Sequence, residues 1–151
     1  MDRIAGVLRW CAWRVQGVRF LGAGRIVLEA EVTLAPGSLV DARWGRVHIE
    51  HGTWIGPDVS VVAGTDTPAA SRVGETLRIG RQARIGARAV LLPGTSIGPR
   101  AVVAPETIVA GSIPAAAIVA GCPARRVGHV LPDGAWEFDV LPRDPEARAR
   151  D

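Results

Sequence analysis

From Ile49 onward an aliphatic side chain recurs every sixth residue: Ile49, Ile55, Val61, Val73, Ile79, Ile85, Leu91, Ile97, Val103 and Val109, interrupted only at Thr67. Neither the 3.6-residue repeat of a helix nor the alternation of a half-buried strand has this period. A beat of six is that of a parallel β-helix, in which each hexapeptide lays one short strand along a flat face and turns at a small residue. Stacked coils then pair strand on strand ~4.8 Å apart, with the aliphatic column filling the axis. Two more columns keep the same beat. The residue after the aliphatic one is Gly56, Gly74, Gly80, Gly86, Gly98, Ala104 or Ala110, where a tight corner or positive φ is expected. Two residues before it the side chain is small or β-branched at Val47, Thr53, Val59, Thr65, Ser71, Ala83, Ala89, Thr95, Ala101 and Thr107, with Leu77 the one large member.

The flanks depart from this pattern. Residues 2 to 18 are spaced as a helix, with Ile4, Val7, Leu8, Cys11, Val15 and Val18 on one stripe and Trp10 and Trp13 off it. Such a helix suits two roles, capping the open end of the prism or peripheral membrane contact, where Trp and Arg together fit headgroup depth. From Phe20 to Arg46 the beat is out of step. Leu28, Leu34 and Val40 are spaced by six, and a three-residue slip precedes Ile49, which predicts an opening coil with a loop over 41–46. After Val127 the beat stops; an extended stretch holds Trp136 and Phe138, and the charged residues 143–151 are expected to be unstructured. The chain therefore divides into an amphipathic helix (1–20), an all-β parallel β-helix (21–127) and a C-terminal extension (128–151).

Composition narrows the class. A chain of 151 residues suits one compact domain, and a 48% hydrophobic fraction with two Phe and no Tyr suits a narrow aliphatic interior. Cys11 and Cys122 make no disulfide framework, so a reducing cytoplasm is expected. Every positive side chain but histidine is Arg, 18 of them against 15 Asp and Glu, with no basic stripe interleaved with aromatics to mark a nucleic-acid binder. The run Arg78, Arg81, Arg84, Arg88 reads as an outward face of a coil or as an anion site for a phosphorylated ligand. No secretory leader is evident, because Arg3, Arg9 and Arg14 interrupt the start. The three histidines, His48, His51 and His129, are too scattered for a three-histidine metal centre, and no metal is expected.

Three stretches carry a family resemblance: VHIEHGTWIGPDVSV, the longer IGARAVLLPGTSIGPRAVVAPETIVAGSIPAAAIVAGCPARRVG, and a short basic leader. Over about residues 24 to 128 the chain resembles the hexapeptide-repeat acyltransferases, and within them the sugar and polysaccharide O-acetyltransferases of the galactoside, maltose and colanic-acid type. That resemblance implies a left-handed β-helix, an exception to the usual right-handed crossover, assembled as a homotrimer. It also implies transfer of an acetyl group from acetyl-CoA to a hydroxyl or amine of a small acceptor, a sugar or sugar nucleotide, in a groove between adjacent subunits. Carried over by position, Gly86, Ala87, Ala104 and Pro105 line the pantetheine groove, with Ala110 and Gly111 further along. Arg125 and Arg126 then meet the CoA phosphates. Relatives place a catalytic histidine in a loop where this chain reads AGTDTP, with Asp66 or Thr67 at the expected position. Pro105, Gly111 and Cys122 also depart from the usual residues there.

If three hexapeptides make a coil, residues about eighteen apart share a corner, which puts His48, Asp66 and Arg84 in one column. A histidine beside a carboxylate is an oriented general base, so His48 and Asp66 are the candidate proton-transfer pair. The same arithmetic stacks His51 below Ala69, Ala87 and Pro105, which makes it a second candidate. A stabilising charge ladder is the other reading of the first column. Two functions follow, an acetyltransferase and a catalytically inactive β-helix trimer acting as a binding or scaffold module.

Overall fold

The computed structural model describes residues 17–22, 25–65 and 76–139. The helix expected over 2–18, Asp66 and the charged tail all lie outside the described residues, apart from Gly17 and Val18 at the end of the helical stretch. The described regular elements are seventeen short strands on three faces of a prism. The first face holds β1 (Arg19–Leu21), β4 (Leu39–Asp41), β7 (Ser60–Val62), β10 (Val90–Leu91) and β13 (Ile108–Val109). The second holds β2 (Ile26–Leu28), β5 (Arg46–Ile49), β8 (Thr76–Ile79), β11 (Ser96–Ile97) and β14 (Ser112–Ile113). The third holds β3 (Thr33–Leu34), β6 (Trp54–Ile55), β9 (Arg84–Ile85), β12 (Val102–Val103) and β15 (Ala117–Ala120), all in parallel register. The chain visits the faces in rotation, as a β-helix requires.

The interior takes two side chains per hexapeptide. Ile49, Ile55, Val61, Ile79, Ile85, Leu91, Ile97, Val103 and Val109 are buried, and so are Val47, Val59, Leu77, Ala83, Ala89 and Ala101 two residues earlier. Thr53, Thr95 and Thr107 of that second column are buried as well, and the first two bond to backbone carbonyls, while the Thr107 hydroxyl has no partner among the described residues. Thr53 Oγ1 donates to Glu50 O at 2.8 Å, and Thr95 Oγ1 to Val109 O at 3.1 Å. Pairing a hydroxyl with a backbone oxygen offsets the cost of drying it.

The glycine column does a different job from the one expected. Gly56, Gly80, Gly86 and Gly98 do not have positive φ; they are small because the next coil crosses directly over them. A Cβ on Gly86 would lie 2.4 Å from the backbone nitrogen of Pro105 and one on Gly98 2.4 Å from that of Ala115. Left-handed φ falls instead three residues after the aliphatic, at Glu31, Asp58, Gln82, Arg88, Arg100, Glu106 and Ala116, and at Gly37, Gly52 and Gly94. Those residues turn the corner.

Coil length is uneven. Ile26 stacks on Val47, an offset of 21 residues. Val47 stacks on Leu77, an offset of 30, whereas Val90 and Ile108 are 18 apart. The additional residues all fall between the first and second faces, at 42–45 and between Val62 and Thr76. That corner, the loop corner, is tightly layered: a Cβ on Gly64 would meet the Trp44 backbone at 2.9 Å, and one on Gly22 the Ala42 carbonyl carbon at 2.7 Å. At the ends, the prism begins at Arg19, since Phe20 pairs with Val40, so residues 19 and 20 are strand where a helix was expected. The regular structure likewise crosses the expected boundary at 127. β16 (Arg125–Val130) runs antiparallel to β15, and β17 (Trp136–Phe138) antiparallel to β16, extending the third sheet beyond its last coil.

Candidate functional site

His48 sits in β5 between the buried Val47 and Ile49, so strand alternation turns its ring outward on the second face. Its Nε2 lies 2.8 Å from Glu29 Oε1. Glu29 follows β2, one coil below, and its Oε2 accepts the backbone N–H of His51 at 3.0 Å. The His51 amide first, then the His48 ring, with the charge of Arg81 adding to them, holds the Glu29 carboxyl below its ordinary range against the opposing effect of desolvation. An ionised Glu29 assigns the proton to Nε2 and leaves Nδ1 as the nitrogen able to accept one. This is an imidazole fixed by a carboxylate, the arrangement of an oriented general base.

The pair opens onto a groove of 480 Å³ lined by Arg25, Val27, Arg46, His48, Thr76 and Arg78. Register explains the grouping, since Val27, His48 and Arg78 are partners on successive strands and Arg46 pairs with Thr76. Arg46 and Thr76 each open a strand of the second face. Arg25 Nη1 donates to Arg43 O at 2.9 Å, and Arg78 Nε stands 3.6 Å from Glu50 Oε1.

The expected stacking of His48 with Arg84 and of His51 with Ala87 and Pro105 does not form, and Asp66 lies outside the described residues. His48 is level with Val27 and Arg78, while Arg84 is level with Trp54 and Val102 on the third face. The carboxylate that the structure gives His48 is Glu29. His51 lies at the corner between the second and third faces, where its carbonyl accepts Gln82 N–H at 2.9 Å and its Nε2 is 3.5 Å from Glu31. It is therefore not stacked under Ala87 or Pro105, which occupy the next corner. The reason is the 30-residue coil, which shifts every later position by twelve relative to an eighteen-residue count. The arginine run is dispersed by the winding: Arg78 faces the groove, Arg84 the third face, and Arg88 pairs with Glu106 at a corner.

The candidate cofactor residues divide between two corners. Gly86, Ala87, Ala104 and Pro105 share the corner between the third and first faces, where the Gly86 site abuts Pro105 and Glu106 N–H bonds Ala87 O at 2.9 Å. Arg125 and Arg126, both exposed, lie on β16 beyond the last coil, opposite Ala120 and Val119. Arg126 Nε is 3.5 Å from Asp139. Ala110 and Gly111 lie across the first face, in the short turn between β13 and β14 at the loop corner. Among the described residues no cluster of His, Cys, Asp and Glu is arranged to hold a metal.

No family model matches the chain, and no curated protein sequence matches it. Solved structures do. A galactoside acetyltransferase in complex with coenzyme A shares 21% identity over 82% of this chain and 65% of its own, with a TM-score of 0.69. The fold is that of the hexapeptide-repeat acetyltransferases. A Vibrio cholerae hexapeptide-repeat acetyltransferase complexed with acetyl coenzyme A matches at 17% identity over 86% of this chain and 80% of its own, TM-score 0.64. A Neisseria gonorrhoeae serine acetyltransferase matches at 24% identity, TM-score 0.62, over 78% of this chain, which spans 44% of that protein. The hexapeptide-repeat fold thus covers most of the chain, while the chain itself is shorter than the galactoside and serine enzymes.

Glu29, Arg25 and Arg46 did not emerge from the sequence. The signal lay in the three-residue slip: stacking Leu28 on Ile49 across it places Glu29 beside the β5 strand, as the pairing of β2 with β5 shows.

Proposed function

We propose that the protein is an acyltransferase that moves the acetyl group of acetyl-CoA to a hydroxyl or amine of a sugar-like acceptor, working as a homotrimer. The observation that carries this reading is the His48–Glu29 pair at 2.8 Å, on a fold whose solved neighbours include acetyltransferases bound to coenzyme A. A hydroxyl is a weak nucleophile near neutral pH without a base. His48 Nδ1 takes its proton as the oxygen attacks the thioester carbonyl; the C–O bond forms, the C–S bond breaks, and the leaving thiolate takes that proton from the imidazolium, which restores the base. Glu29 holds the ring and stabilises the imidazolium formed on the way. Arg125 and Arg126 are suited to meet the CoA phosphates.

Thiol release from acetyl-CoA across a panel of sugars tests this. Replacing His48 by Gln is expected to lower kcat by about 10²- to 10⁴-fold while acetyl-CoA binding, followed by calorimetry, is unchanged. Glu29→Gln is expected to cost less, about 10- to 100-fold, because the ring persists without its anchor. No binding at millimolar acetyl-CoA overturns the enzyme reading. Asp66 and Thr67, standing where relatives carry the histidine, favour the second reading of an inactive binding trimer, whose signature is cofactor binding without turnover on any acceptor.

A further inference from the structure

We infer that the acceptor is an acidic sugar whose carboxylate or phosphate is held by Arg25, Arg46 and Arg78 beside His48; the inference rests on the proposed acyl transfer for its chemistry. The lining of the 480 Å³ groove contains three guanidinium groups and no carboxylate. Neighbouring acids are already engaged: Glu29 accepts from His48 and from the His51 amide, and Glu50 serves Arg78 at 3.6 Å and the Arg81 amide at 3.1 Å. Among the described residues Arg46 forms no ion pair and Arg25 is steadied only by a backbone carbonyl. Three cations gathered on successive coils with this little compensation repel one another, and an oxyanion between them removes the repulsion. Planar guanidinium forks match carboxylate and phosphate oxygens in pairs. The floor of the same groove is Val27, 55% exposed in mid-strand, an apolar surface of the kind that the C–H face of a pyranose covers. An apolar floor, a cationic rim and a base at one end describe a sugar ring bearing a negative substituent and a reacting hydroxyl or amine.

Calorimetry in the presence of coenzyme A, with a neutral hexose, its hexuronate and its 1-phosphate, separates the possibilities. At least one acidic sugar is expected to bind about tenfold or more tighter than the neutral parent, losing that advantage as ionic strength rises from about 0.05 to 0.3 M. The preferred acid identifies the anion. Arg46→Gln and Arg78→Gln are each expected to weaken that binding about five- to tenfold, raising KM while sparing kcat, whereas Arg19→Gln on the first face changes nothing. Equal affinity for neutral and acidic sugars, or acidic binding indifferent to both substitutions, overturns the inference. Arginine-dependent binding of an acidic sugar without acetyl transfer would sink the enzyme reading and leave this one standing; transfer to neutral sugars at full rate in the Arg46→Gln, Arg78→Gln double variant does the reverse.

Discussion

At the scale of single residues, the loop corner is fastened by Asp41. Its side chain is almost wholly buried and accepts from Arg43 Nε at 3.1 Å, Nη2 at 2.8 Å and the Arg43 amide at 3.0 Å. The guanidinium bonds, aided by the amide, depress the Asp41 carboxyl below its ordinary range although burial pushes the other way. A depressed folded pKa contributes stability that is present above the unfolded value, near pH 4, and is lost as pH falls through the lower folded one. Asp41→Asn is therefore expected to cost about 1–3 kcal/mol at neutral pH, with the two proteins converging in strong acid. Urea titrations across pH would refute this if the gap were as large at pH 2 as at pH 7. His48 could be singled out in the sequence as a candidate base because its chemistry is local. Its partner Glu29 could not be, because that contact depends on how many residues each coil consumes.

Elements show the same division more sharply. The six-residue beat reports which side chains face inward, and every described member of the aliphatic column is buried. It does not report which coil a hexapeptide belongs to. The stretch between Val62 and Thr76 makes its coil twelve residues longer than an eighteen-residue one, which is two full beats. The phase of Ile79 onward is therefore unchanged, and the break at Thr67 is the one mark the insertion leaves on the periodicity. The three-residue slip before Ile49 breaks phase and so was legible. Coil stacking also decides which glycines are indispensable. Gly86→Ala forces a Cβ to within 2.4 Å of the Pro105 nitrogen, backbone that can yield only by separating two coils, at about 3 kcal/mol. Gly111→Ala meets nothing within 4 Å but keeps a φ of +87°, which costs about 1 kcal/mol. Thermal melts should rank Gly86→Ala well below Gly111→Ala; equal melting points would mean that close approach is not what the column selects.

At the scale of the whole molecule, the candidate groups do not meet within one chain. The His48–Glu29 pair lies on the second face, and the corner of Gly86, Ala87, Ala104 and Pro105 is where the third face joins the first, on the opposite side of a three-sided prism. A thioester held at that corner cannot be reached by the same chain's imidazole, so the proposed reaction requires the second face of one copy against the corner of the next. In a closed trimer with cyclic symmetry each of the sites then draws on two chains. Two silent variants should complement: His48→Gln lacks the base, and the Arg125→Gln, Arg126→Gln double variant, assayed at acetyl-CoA too dilute for it to bind, lacks the phosphate contacts. Co-expressed at equal levels and assembled at random, about one quarter of sites pair an intact base with an intact corner, so about one quarter of the native rate should return. Activity no higher than in either variant alone would place base and cofactor on the same chain and exclude a shared site.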